Sequence, residues 1–297
     1  MFWDKKVLKF IQKSIDEKLD IVVTSVISTH GSTYSKAGNI SIYNSNNESI
    51  GILGSPFLHR KIDELSLKVL ESKHSEVFES IPKDNSSGHG TSKYLISGFF
   101  YEDNYGALKE CFNNFDKTLV RSITNDEEYK FIDTNVDTKL EKDKFYQIIK
   151  RPFSLFIFGA ANHVLPLVDL SNLLGWNTTI IDVNIDENFV SNADNIINLQ
   201  SIDEVFNVDM QAYDASVILS HNPNTDYIYL ESLLVSNMNY IGMMGNKKNM
   251  VNIKKKFNLE NSNRFFAPVG LDIGSNTSES IALSICSQIE SKRNGKI

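Results

Sequence analysis

The chain has 297 residues, 41% of them hydrophobic and 23% charged, with a formal net charge of −7. That length suffices for one or two cores of ordinary domain size, and the acidic balance argues against a surface that gains affinity by neutralising nucleic-acid phosphates. No run approaches the ~20 apolar residues of a membrane span, so a soluble, cytoplasmic protein with neither nucleic acid nor membrane as partner is expected.

In the opening segment MFWDKKVLKFIQKSIDEKLD, Val7, Leu8, Ile11, Ile15 and Leu19 recur at helical spacing among charged residues. This predicts an amphipathic helix over about 3 to 19 rather than a secretory leader. Strands follow in IVVTSVIST, NISIYN and ESIGILG, then a helix from about 57 to 73. Beyond these, EVFESIP and KYLISGFFYED lead into a helix around Cys111, with further strand-like pieces in TLVRSIT and YKFIDT. The order is mixed, which predicts an α+β domain over residues 1–150. The polar loop PKDNSSGHGTS, with His89 between two glycines, reads as a solvated connection. Cys111 shares an apolar stripe with Leu108, Phe112 and Phe115, and Cys286 shares one with Ile281, Ala282, Ile285 and Ile289. Both read as buried core residues. Two such cysteines leave no thiolate zinc site and no disulfide framework, and no metal site is expected.

The second half alternates regularly. The strand SLFIFG precedes a helix over about 163 to 174, followed by the strands NTTIIDV and NIINL, the helical SIDEVF and the strand ASVILSH. A helix from about 225 to 236, the strand NYIGMMG, a basic segment NKKNMVNIKKKF and a helix from about 277 to 292 complete the chain. Strand-helix alternation with continuous apolar runs such as Leu155 to Phe158 predicts a parallel sheet covered on both faces. With right-handed crossovers, residues 151–297 become a Rossmann-like, doubly wound domain, and the fold class is α/β.

The turn after SLFIF places Gly159, Ala161 and Val164 where a dinucleotide-binding G-x-G-x-x-G has its glycines. The tight turn is kept, while a methyl group obstructs the close approach of a pyrophosphate. Asp182 closes the next strand 23 residues after Gly159, where a carboxylate could accept from ribose hydroxyls. Amides from Asn162 and His163 to Leu165 could meet an anion at the helix start. A dinucleotide site using NAD or FAD and a degenerate structural turn both fit these residues. Ser220, His221 and Asn222 lie just past another buried strand, at the edge where parallel sheets collect ligands. Gly242 and Gly245 flank the next strand end, and Gly270, Asp272 and Gly274 form a constrained loop before a helix whose expected cap is Asn276 with Glu279.

Three ordered stretches, GAANHVLPLVDLSNLLGWNTTIIDV, VILSHNPNTDYIYLESLLVSNMNYIGMMG and FFAPVGLDIGSNTSESIALSI, resemble the C-terminal domain of the XdhC/CoxI family of xanthine dehydrogenase accessory factors. VVTSVISTHGSTYSKAGNISIY and SIGILGSPFLHRKIDEL resemble its N-terminal half. The resemblance implies a homodimeric, two-domain protein, more a chaperone than a catalyst. It would bind molybdenum cofactor (molybdopterin, as mono- or dinucleotide) and assist its sulfuration and insertion into a molybdenum hydroxylase of the xanthine dehydrogenase type. It adds Gly31, Ser32 and Ser55 to the cofactor-binding candidates of the second half. The family's serine-glycine-glycine-cysteine-x-glutamate run is replaced by Gly54, Ser55, Pro56, Phe57, Leu58 and His59, so a phenyl ring stands where the thiol is expected. A phenyl ring neither ligates a metal nor carries sulfur. A decayed scaffold and an NAD-dependent oxidoreductase are the competing readings.

Overall fold

The structure is a computed structural model describing residues 4–82, 90–186, 188, 190 and 192–297; His89 lies outside the described residues. Contacts divide the chain into two compact units, Met1–Arg151 and Pro152–Ile297.

The first unit runs α1 (Lys5–Asp16), β1 (Ile21–His30), β2 (Ile40–Asn44), β3 (Ser49–Ile50), α2 (Pro56–Ser72), β4 (Glu76–Ser80), β5 (Thr91–Phe99), α3 (Gly106–Glu110), β6 (Lys117–Ser122), β7 (Tyr129–Ile132), β8 (Lys139–Glu141) and β9 (Lys144–Ile149). Two antiparallel sheets result, ordered β3-β2-β1-β5-β4 and β7-β6-β9-β8. Strand β1 turns Ile21 and Val23 toward Val7 and Ile11 of α1, and Val22 and Val26 toward Ile62 and Val69 of α2, so it is buried on both faces. The oxygen of Ser55 accepts from the Leu58 amide at 3.3 Å and Pro56 occupies the first turn, which starts α2.

The second unit comprises β10 (Ser154–Phe158), α4 (Leu165–Leu173), β11 (Asn177–Val183), β12 (Asn195–Leu199), β13 (Ala215–Ile218), α5 (Pro223–Leu234), β14 (Tyr240–Met243), α6 (Lys247–Lys256), β15 (Phe265–Phe266) and α7 (Ser278–Arg293). Its six strands are all parallel, in the order β12-β11-β10-β13-β14-β15. Counted from β10, this is the 3-2-1-4-5-6 order of the doubly wound dinucleotide-binding fold. Leu155 and Ile157 pack toward α4 and α7, Phe156 and Phe158 toward α5 and α6, so alternate side chains of one strand feed two cores. Cys111 and Cys286 are both buried, each within such a core.

Three local differences from the sequence pattern have physical causes. Helix α4 begins at Leu165 rather than His163, because residues 161 to 164 form a turn closed by the Val164 amide donating to Ala161 O at 2.8 Å. Helix α7 is capped by Thr277 and Ser280, not Asn276 and Glu279: Thr277 Oγ1 accepts from Ser280 N at 3.2 Å, and Ser280 Oγ accepts from Thr277 N at 3.0 Å. A hydroxyl at each place closes the reciprocal pair that the longer Asn and Glu side chains leave open. SIDEVF forms a 3-10 helix, Ile202–Asn207, instead of a regular one.

At Gly159 in the second unit, backbone packs directly on backbone. Its φ is +119°, and a Cβ there would lie 2.8 Å from Leu219 C and 2.9 Å from Ser220 Cα. Gly159→Ala therefore meets an unfavourable backbone conformation and a backbone obstacle together. A loss of roughly 2–4 kcal/mol in denaturant unfolding is expected. Gly274→Ala, with φ +76° but open space around it, should cost only about 1 kcal/mol; equal losses at the two positions would contradict the packing argument.

Candidate functional site

At the carboxyl edge of the parallel sheet, β10 has β11 on one side and β13 on the other, so the chain reverses its direction of winding at β10. A crevice outside the strand ends at such a reversal is where doubly wound folds bind ligands. The Gly159 amide donates to Ile181 O at 2.9 Å and the Leu219 amide to Phe158 O at 2.7 Å, which ties the ends of β10, β11 and β13 together.

Asp182 sits at the end of β11 and faces inward along this junction. One carboxylate oxygen accepts from the Ala160 amide at 3.1 Å; the other accepts from Tyr229 Oη and from the Val183 amide, each at 2.8 Å. The side chain thereby fixes the turn after β10, and most of its accepting capacity is already used. Tyr229 and Asp226, three residues apart on α5, share a helix face that points to the same place. Sequence reasoning missed both; their i, i+3 spacing just inside a capped helix was the available signal. Asp226 is 8% exposed and accepts from Ser220 Oγ, which also contacts Thr225 Oγ1 at 3.0 Å. Burial pushes the Asp226 carboxyl above its ordinary range, opposed by the Ser220 hydrogen bond and reinforced by the nearby Asp182 charge. Burial, with the Asp182 bond and charge, likewise drives the Tyr229 phenol upward, so it stays a donor.

Two histidines stand over this layer. The His163 and His221 rings meet edge to face with centroids 4.3 Å apart. His163 Nε2 lies 3.0 Å from Leu219 O; a carbonyl only accepts, so the proton is on Nε2 and neutral His163 keeps Nδ1 as an acceptor. Burial lowers the His163 pKa, against the raising effect of that bond, and the His221 charge lowers it further. His221 is exposed and holds a left-handed φ of +55°, uncommon for a residue with a side chain. Asn162, next to His163 in sequence, is exposed, while Asn222 spends its side-chain oxygen on the Asn224 amide as the cap of α5.

The remaining candidates divide by role. Val269 N donates to Met243 O at 2.9 Å, which brings the loop before α7 against the end of β14. A Cβ on Gly242 would lie 2.4 Å from Val269 Cγ2, and one on Gly270 would lie 2.4 Å from Ser284 Oγ, so both glycines serve packing. The Gly270 amide donates to Gln288 Oε1 at 2.9 Å, and the same oxygen accepts from Tyr240 Oη at 2.7 Å. Gly245, Asp272 and Gly274 are exposed, and Asp272 pairs with Lys247 at 3.6 Å across solvent, a pair worth little. Gly31, Ser32 and Ser55 belong to the first unit: Gly31 lies against Gly90, whose amide donates to Ser32 O at 2.5 Å, and Ser55 caps α2. Among the described residues no group of three or more His, Cys, Asp or Glu could hold a metal ion, and no helix is long and apolar enough to cross a membrane.

Strand order, crossover pattern and the turn at the reversal define the second unit as a Rossmann-type domain. Residues 155–289 match the XdhC Rossmann domain. A Bacillus subtilis (strain 168) protein, named as a probable subunit of xanthine dehydrogenase, is 26% identical over 151 residues, which cover 49% of this chain and 44% of the relative. The match thus spans less than half of that relative's length. A solved structure from Bacillus halodurans, described as a xanthine dehydrogenase, superposes with a TM-score of 0.82 at 20% identity over 98% of this chain and 96% of that one. At that identity the likeness is one of fold.

The raised Asp226 pKa has a definite sign. A buried carboxyl that prefers its neutral form stabilises the fold below the ordinary value of 3.8, and this contribution is lost as pH rises through the higher folded value. Asp226→Asn keeps an acceptor for Ser220 without the charge. Its stability relative to the parent should therefore increase as pH rises from about 3.5 to 7; a pH-independent difference in urea unfolding would contradict the assignment.

Proposed function

We propose that the chain is an XdhC-type accessory protein of a xanthine dehydrogenase-like molybdenum hydroxylase, and that its second unit holds the phosphate-bearing end of molybdenum cofactor, as mono- or dinucleotide, beside His163 and His221. The observation that carries this reading is the histidine pair standing over the reversal point of a Rossmann sheet, in a domain matched to the XdhC family. The relative's name supports the kind of partner. A cytoplasmic location and a homodimer come with the same family reading.

The residues fit the anionic part of such a group. His221 and Asn162 are exposed at the rim and offer donors, and His163 supplies a polar ring behind them. When bound, the group supplies the metal chemistry of the partner enzyme; this chain's residues would grip and orient its phosphate. The fit stops at sulfur transfer. Phe57, where the family resemblance places a cysteine, is 69% exposed, while Cys111 and Cys286 are buried, with thiols pushed up to about 12 by burial. None of these provides an accessible thiolate. The role proposed is therefore holding and delivery, without sulfuration through a protein thiol.

A scaffold with a decayed site is the second reading, favoured by the saturation of Asp182 with internal donors. That same saturation speaks against NAD or FAD held through ribose hydroxyls.

Anaerobic thermal unfolding of the full chain with purified molybdenum cofactor, NAD or FAD separates these readings. Molybdenum cofactor at 100 times its Kd should stabilise the native state by about 2.7 kcal/mol, with no comparable effect of NAD or FAD. His221→Asn, which tolerates the left-handed backbone, should weaken that binding about tenfold and leave the stability of the empty protein within about 0.5 kcal/mol. No stabilisation by any of the three ligands would leave the scaffold.

A further inference from the structure

The first unit contains a charge that its own fold leaves uncompensated. Arg121, on β6, is 6% exposed, and its NH2 group donates to Ser25 Oγ at 3.1 Å. Its guanidinium carbon lies 5.7 Å from the centre of the Phe145 ring. Nε is buried without a hydrogen-bond partner, and among the described residues no carboxylate forms an ion pair with the side chain. Asp126 acts on Arg121 only as a more distant charge. A guanidinium carries several donors in one plane, suited to grip a carboxylate or phosphate by two bonds at once, and here one bond is made. Burying a charge in this state is costly unless something else pairs with it.

Arg121 also lines a cavity of about 580 Å³ whose described lining residues all belong to the first unit. That volume is in the range of small-molecule sites. Phe99, Phe100 and Tyr129 supply an apolar and aromatic wall, and Ser97 and Ser122 supply hydroxyls. We infer that this cavity is a second ligand site, which takes a small organic anion with its phosphate or carboxylate on the Arg121 guanidinium and its apolar body against Phe99, Phe100 and Tyr129. Asp103, Asp126 and Glu127 line the same cavity. They favour a ligand that carries hydrogen-bond donors or a positive charge away from its anionic end. The site is independent of the histidine rim of the second unit, so either can fail without the other.

The test is isothermal titration of the full chain with inorganic phosphate, phenyl phosphate and benzoate at constant ionic strength, with chloride as the reference anion. At least one of the three should bind saturably, phenyl phosphate more tightly than inorganic phosphate. Arg121→Met should weaken that binding by at least about tenfold, and the empty variant should unfold at the same or a higher temperature, because replacing a lone buried charge by an apolar chain removes a desolvation cost. Should that variant not fold, the Arg121 Nε–H resonance of the unaltered protein reports the same contact and should shift on titration. Absence of saturable binding by all three probes, undiminished binding by Arg121→Met, or an unmoved Nε–H resonance at saturation would each overturn the inference.

Discussion

The close approach of two strand ends governs the second unit. The turn after β10 runs so near Leu219 and Ser220 that no Cβ fits at Gly159. Parallel strands place their carboxyl ends on one edge, but the contact at Gly159 sets how closely the loops above that edge meet. It brings the His163 ring within hydrogen-bond reach of Leu219 O and beside His221. One glycine thus replaces three in defining the turn, because the constraint at this junction is protein backbone instead of a pyrophosphate.

Beneath the histidines, charge is managed by hydrogen bonding. Asp182 is shared among two amides and a phenol, and Asp226 is held by Ser220. A carboxylate with three donors is well satisfied even when half-buried, whereas one with a single hydroxyl and a neighbouring negative charge prefers to be neutral. The two acids therefore differ in how they are held within one small cluster, Asp182 by three donors and Asp226 by the Ser220 hydroxyl. Helix α5, which carries Asp226 and Tyr229, is anchored at its far end by Arg264, whose guanidinium donates to Leu234 O at 2.8 Å and to Ser236 O at 2.6 Å. A cation at a helix C-terminus complements the free carbonyls there, and it holds the cluster's supporting helix in register.

Much of this fold was legible in the amino-acid order. Runs such as Leu155 to Phe158 and alternation with amphipathic helices announce a parallel sheet, because a strand covered on both faces has no polar side to display. The rim residues Gly159, Asp182 and His221 followed from counting along strand ends. What Asp182 does there did not, since its Tyr229 partner is 47 residues away and becomes visible only once α5 packs on the sheet. The choice of Thr277 over Asn276 as a helix cap turned on the reciprocal hydroxyl pair of Thr277 and Ser280. Helix α6 hid in a lysine-rich segment where only Met250 and Ile253 are buried, and β8 and β9 were not assigned. Arg121 reads in sequence as an ordinary strand cation; its isolation comes from packing.

Under the proposed function, the turn after β10 and the loop after β13 act as one surface that grips an anionic cofactor. Hydrogen exchange of the full chain, followed by mass spectrometry with and without purified molybdenum cofactor under anaerobic conditions, tests this most directly. Slowed exchange should concentrate in residues 159–164 and 219–222, the two segments joined at Gly159 and Leu219. Slowing confined to the first unit, or none at saturating cofactor, would contradict it.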